Sequence, residues 1–252
     1  TTPLNPNSFV ELFLHKPVTI QVTGFFNQIK IENMRKLQLI AAVSALLLVT
    51  LVACNGPKGE KVDATEANAV GANVGQEMMV DLTKTFVYWE GAKPTGMHNG
   101  TVNLTEGFVR VNEGALVGGE FTMDMKSIKV LDLTDEKMNK MLVDHLKSPD
   151  FFLVDSFPTA KFVITKVTPV EPASADANVT VEGNLTLRGV TKGIAFPALV
   201  TMNGAMLEAK TPQFVINRVD WGVNYGSKSV IANLKDNFIN DEMGLRIELV
   251  TK

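Results

Sequence analysis

The chain has 252 residues, 45% hydrophobic and 20% charged, with a formal net charge of -3. A nucleic-acid surface needs a basic excess that this balance excludes. With one cysteine, Cys54, an intrachain disulfide is excluded too.

Residues 1–33 precede a natural start at Met34 and are expected to be upstream translated sequence, not part of the fold. From Met34 the order is that of a secretory signal peptide: basic Arg35 and Lys36, an apolar run from Leu37 to Val52, then Leu51-Val52-Ala53-Cys54. That ending resembles the lipobox of bacterial lipoproteins, in which the Cys54 thiol accepts a diacylglyceryl group. A transmembrane anchor is the competing reading, but the run is shorter than the roughly 20 residues a spanning helix needs. The expectation is a signal peptide over 34–53 and a lipid-attachment site at Cys54. The protein is then secreted and held on a membrane facing the periplasm of a bacterial cell envelope. Several acyl chains on one cysteine suffice for stable anchoring.

Residues 54–77 are rich in Gly, Asn, Ala and charge without an apolar period, and predict a flexible tether. The folded domain is expected over 78–252. Short strands follow at Gly100 to Thr105, Phe108 to Asn112, Ala115 to Met125 and Ser127 to Asp132, with a turn at Asn112-Glu113-Gly114. Met138, Met141, Leu142 and Leu146 recur at helical spacing from Thr134 to Lys147, with Thr134 as expected N-cap and Pro149 as the stop. Strands resume at Ala160 to Val167, at Leu207 to Trp221 with a break at Pro212, and at Leu245 to Val250.

Between them lies the strongest pattern in the chain. Val179, Val181, Gly183, Leu185 and Leu187 alternate with polar residues; after a turn, Ile194, Phe196, Ala198, Val200 and Met202 do the same. A turn through Gly189 to Lys192 would set Leu187 opposite Ile194 and Gly183 opposite Ala198, leaving a shallow place in an apolar wall. A one-residue slip would turn that wall outward, so facing is strongly specified. Many antiparallel strands with one end-capping helix predict an all-β closed barrel, which removes exposed edges.

Several segments in order resemble the YceI-like family, also called polyisoprenoid- or lipid-binding YceI-like domains. They are WEGAK at 89–93 with Gly96, His98, Asn99 and Gly100; GEFTMDM at 119–125; HLKSPDFF at 145–152; FPTAKF at 157–162; VEGNLTLRGVTK at 181–192; and INR at 216–218 with Asp220, Trp221 and Gly222. The resemblance implies a lipocalin-like barrel of eight strands around an elongated apolar channel holding an isoprenoid or other long amphiphile. The family's aspartate-arginine pair reads Asn217-Arg218 here, so Arg218 must find another partner.

The expected ligand lining is Phe121, Met123, Phe162, Val179, Val181, Leu185, Leu187, Ile194, Phe196, Ala198, Val200, Phe214 and Ile216, with His98 near a head group. Met123, Met125 and Met202 would give it tolerance of shape. No HExxH, G-x-S-x-G, CxxC or Walker motif occurs, so no catalytic or metal residue and no cofactor are expected. His98 reads as a turn residue and His145 as a packed one; Trp89 and Trp221 read as core. The expected function is non-enzymatic binding, storage or transport of an isoprenoid quinone, polyprenyl or similar lipid. The alternatives are an enzyme using His98 or His145 on a lipid-like substrate, and a ligand-free structural or interaction barrel. A homodimer is compatible with these residues; nothing in them requires one.

Overall fold

A computed structural model describes residues 56–71 and 74–252. The expected upstream sequence, the signal peptide and Cys54 lie outside the described residues.

The strands are β1 (Glu60–Val62), β2 (Gln76–Met79), β3 (Phe86–Lys93), β4 (Gly96–Asn112), β5 (Ala115–Val130), β6 (Thr159–Pro169), β7 (Val179–Leu187), β8 (Val190–Asn203), β9 (Met206–Lys210), β10 (Phe214–Asn217) and β11 (Glu242–Val250). Strands β3 through β9 pair in succession, and β11 pairs with both β9 and β3. The result is a closed antiparallel barrel of eight strands, β3 to β9 and β11. The four short strands expected between Gly100 and Asp132 fuse into two long ones, because bulges between Thr101 and Asn103 and between Leu104 and Glu106 bend the pair without ending it. The β4–β5 turn has Glu113 and Gly114 at φ 50° and 78°, the twist a two-residue hairpin needs.

The central hairpin corrects its expected register. Leu187 lies opposite Val190 and Gly183 opposite Ile194, with Val179 opposite Ala198. The turn is the two-residue Arg188-Gly189, at φ 50° and 76°. Arginine rarely adopts that conformation; here its guanidinium Nη1 donates to the carbonyls of Phe151 and Gly222, at 2.6 and 3.2 Å, anchoring the turn. Because the pairing moves by an even number of residues, the apolar faces still coincide.

The expected tether is corrected where it meets the barrel. Strand β1 pairs in parallel with β10, which sets Val62 beside Ile216. Thr65 bridges Gly193 on β8, and Asn68 exchanges two 2.8 Å hydrogen bonds with the Asn184 side chain on β7. The segment fills the seam where β8 and β10 do not pair. Strand β2 pairs with the far end of β4.

Helix α1 (Glu136–Lys147) is the one α-helix among the described residues. Its N-cap is Asp135, whose carboxylate accepts from the Met138 N–H at 2.8 Å; this replaces the expected Thr134. Leu146 is buried and Leu142 half-buried, whereas Met138 and Met141 face solvent. The inward stripe is therefore narrower than the apolar spacing suggested.

Candidate functional site

The barrel interior holds two adjoining apolar chambers. The first, about 110 Å³, is lined by Phe121, Met123, Phe162, Val181, Leu185, Ile194, Phe196, Ala198, Val200 and Phe214 among others. A chain of phenylalanine rings crosses it: Phe121 to Phe162 at 6.4 Å between centroids, Phe162 to Phe196 at 5.5 Å, Phe196 to Phe214 at 4.5 Å. Its two hydroxyls are committed, since Thr85 and Thr211 Oγ1 accept the Val250 and Ile247 N–H groups at 3.2 and 3.0 Å. An apolar cavity of this size, near the ~150 Å³ of engineered examples, stays dry.

The second chamber, about 130 Å³, shares Val87, Met123, Leu185 and Leu245 with the first and adds Met125, Leu187, Leu146 and Phe151. Charged residues border only this one, Arg218 and Glu242, with Asn240 beside them, and they turn apolar atoms toward the space. Of the expected lining, Val179 and Ile216 border neither chamber: Val179 is half-buried at the strand's start, and Ile216 is wholly enclosed in the core. Met202 is corrected from lining to surface, at 37% exposed, because it lies past the part of β8 that covers the cavity. The shallow place expected at Gly183 is also corrected. The Phe162 ring fills it, so the vacant volume begins beside that ring and not at the glycine.

Arg218 finds a new set of partners. Its Nε, Nη1 and Nη2 donate to the carbonyls of Asn240, Val223 and Ile239 at 3.0, 2.5 and 3.1 Å. Asp241 stands 3.7 Å away as counter-charge. Burial pulls the guanidinium below its usual pKa range and Asp241 resists that pull.

Beyond the second chamber a vestibule of about 350 Å³ opens beneath α1, bordered by Trp89, His98, His145, Phe151, Tyr225 and Phe238. His98 is a strand residue opposite Gly91, not a turn residue, because β3 and β4 run to the barrel's mouth. Its Nδ1 lies 2.8 Å from Asp132 Oδ2. Burial alone would raise the Asp132 pKa, but the Asn99 N–H bond and His98 outweigh it and hold the carboxyl low. His145 pairs with Asp150 at 3.1 Å and packs edge-on against Phe151 and Tyr225. The two histidines thus share a vestibule, each tied to its own carboxylate. Among the described residues no group of three or more His, Cys, Asp or Glu could hold a metal.

The tryptophans divide. Trp221 is fully buried and donates to the Leu185 carbonyl at 3.0 Å, as a core residue does. Trp89 borders both the second chamber and the vestibule.

A closed antiparallel barrel with an apolar core cavity and a partly polar vestibule defines a class, that of small barrels with an internal ligand-sized space. Residues 78–251 match the YceI-like domain, and the chain belongs to that family. It is similar to the crystal structure of Burkholderia cenocepacia BcnA, at 25% identity over 69% of this chain and 99% of that one, with a TM-score of 0.53. It shares its fold with a polyisoprenoid binding domain from Saccharophagus degradans implicated in plant cell wall breakdown, at 17% identity over 69% and 97% of the two chains, TM-score 0.50. A UPF0312 protein of Pseudomonas putida is 44% identical over 68 residues, 27% of this chain and 31% of the relative. The chain therefore spans about a third of the length of the curated relatives it matches.

Proposed function

We propose that the barrel binds and holds a long-chain amphiphile, of the isoprenoid quinone or polyprenyl type, with the tail in the two chambers and the polar end toward the vestibule. The observation that carries this reading is the pair of adjoining apolar chambers next to a wider, partly polar vestibule. A polyisoprenoid binding domain of the same fold supports it. Burying ten methylenes contributes about 8 kcal/mol gross, less several for association and ordering, so micromolar binding needs no catalytic group. The domain is read as a binder, since the first chamber carries no acid or base. Lipidation of Cys54, attachment to an envelope membrane and exposure to the periplasm are part of the same proposal and rest on the sequence.

Chamber size favours one competing reading. At about 110 and 130 Å³ each is near the volume that takes a single benzene, so a long tail requires the methionine and phenylalanine side chains to yield. If they do not, the barrel is a dry interaction module.

Organic extraction and mass spectrometry of the purified full chain separate the two. A long-chain amphiphile near one per protein is expected. No lipid in repeated preparations, together with no saturation by a hydrophobic probe, overturns the binding role.

A further inference from the structure

The chain ahead of β1 is held against the barrel, and its course has a direction. Gly59, at φ 148°, turns the chain beside Gln213, whose Nε2 donates to the Lys58 carbonyl at 2.6 Å. Pro57 lies over Gly244, where an added Cβ would stand 3.1 Å from the proline's own; a Cβ on Gly56 would lie 3.2 Å from Asn240 Nδ2. Followed from Gly59 back to Gly56, the chain thus runs along the outside of β11 and past its first residue. That end is the vestibule's: the Asn240 N–H donates to the Ala92 carbonyl at 2.8 Å, and Ala92 and Ile239 both border the vestibule.

Cys54, the expected lipid-attachment residue, is two steps along the chain from Gly56, a reach of at most about 7 Å. A free coil from Cys54 to Glu77 would instead span about 27 Å. A docked segment therefore takes away most of the freedom a lipidated tether would have, and it brings the anchor out beside the vestibule. Exposed apolar side chains stand at that end: Met97 at the start of β4, and Tyr225, Val230 and Ile231 in the loop between Val223 and Asn240. Met202 and Met206 are exposed too, at the opposite end, beyond the last residues of β11. Exposure alone therefore picks neither end, and the path of residues 56–59 does.

We propose that the vestibule end docks on a lipid bilayer, with Met97, Tyr225, Val230 and Ile231 at the lipid surface and residues 56–62 as the strut that fixes the barrel in that orientation. An apolar tail then passes between bilayer and vestibule without crossing water, which would oppose its exposure. The orientation rests on the lipidation of Cys54 proposed above, and the passage of a tail rests on the amphiphile-binding role.

The test uses the full chain made in a bacterial host and reconstituted in phosphatidylcholine vesicles that carry a nitroxide-labelled lipid. Mass spectrometry reads Cys54 first; no acyl mass there overturns the anchor and the orientation with it. An acylated Cys54 keeps no thiol, so a fluorophore goes only to a cysteine placed at the vestibule end, Val230→Cys, or at the opposite end, Met206→Cys. A strand the length of β11 spans about 30 Å, which puts the far label beyond contact with the quencher. Quenching at 230 about threefold or more above that at 206 is expected. Equal or reversed quenching with Cys54 acylated overturns the orientation and leaves the anchor standing, while lipid extraction reads the binding role separately. A flexible Gly-Ser insert of about 12 residues between Asn55 and Gly56 is expected to bring the ratio below about 1.5; an unchanged ratio overturns the strut. Should a cysteine variant not fold, amide exchange of the unmutated protein carries the test. Exchange over 225–231 slower on vesicles than in detergent micelles, with 203–206 unchanged, is expected, and the reverse pattern overturns the orientation.

Discussion

Gly183 on β7 gives up its side-chain space to Phe162 on β6: a Cβ at 183 would stand 2.3 Å from the ring's Cζ and 2.7 Å from the Val163 carbonyl oxygen. The carbonyl cannot move without breaking the β6–β7 ladder, so the ring must, and the space beside it is the first chamber. Gly183→Ala is expected to cost about 1–3 kcal/mol and to weaken hydrophobic-probe binding as Phe162 swings inward. Urea denaturation with a parallel probe titration checks both; wild-type stability and affinity together would show that the ring has other room.

Arg218 donates to three backbone carbonyls at once, those of Asn240, Val223 and Ile239. Arg218→Met should cost about 3–5 kcal/mol, because three carbonyls lose their donors and Asp241 loses its counter-charge. Arg218→Lys should recover only part, since an ammonium lacks the planar fork that spans three acceptors. Denaturant midpoints decide the point, and a methionine variant as stable as wild type would refute it.

The pair of Asp132 and His98 makes stability depend on pH in a definite direction. The folded-state pKa of Asp132 is lowered, so its contribution is complete above the unfolded value, about 3.9, and disappears as pH falls through the folded value. Asp132→Asn should therefore be less stable than wild type at pH 7, with the gap narrowing below about pH 4. Thermal melts at pH 7, 5 and 3 measure it. A gap of constant size would rule the linkage out.

The segment from β1 to Asn68 is held over the β8–β10 seam by few contacts, of which Asn184 makes two. Removing them with Asn184→Ala is expected to cost about 1–2 kcal/mol and to speed amide exchange at Thr65 and along β10. Thr65 is the sensitive reporter, since its N–H donates to the Gly193 carbonyl at 2.9 Å. Unchanged exchange there would mean that the segment is secured elsewhere.

The central hairpin shows how far residues alone reach. Alternation with period two assigned Val181, Leu185, Phe196 and Ala198 to the inside whatever the turn, because sheet facing depends only on parity. Turn length was illegible: Arg188 adopts positive φ only because Phe151 and Gly222, distant in the chain, offer it carbonyls. Trp89 teaches the same lesson at the site. Its sequence setting matches a core tryptophan's, and only the tertiary structure leaves it half-buried beside the second chamber and the vestibule while Trp221 is wholly enclosed.

What the residues determined unaided was the all-β class, the inward face of the central hairpin, the capping helix and the family, all consequences of local periodicity and ordered short motifs. Tertiary structure decided where empty volume lies. A cavity is what remains after side chains from eight strands have met, as when Phe162 closes the gap at Gly183. It also decided the fate of residues 60–68, too polar to predict a strand, which pair because β8 and β10 leave backbone donors and acceptors that burial requires to be matched.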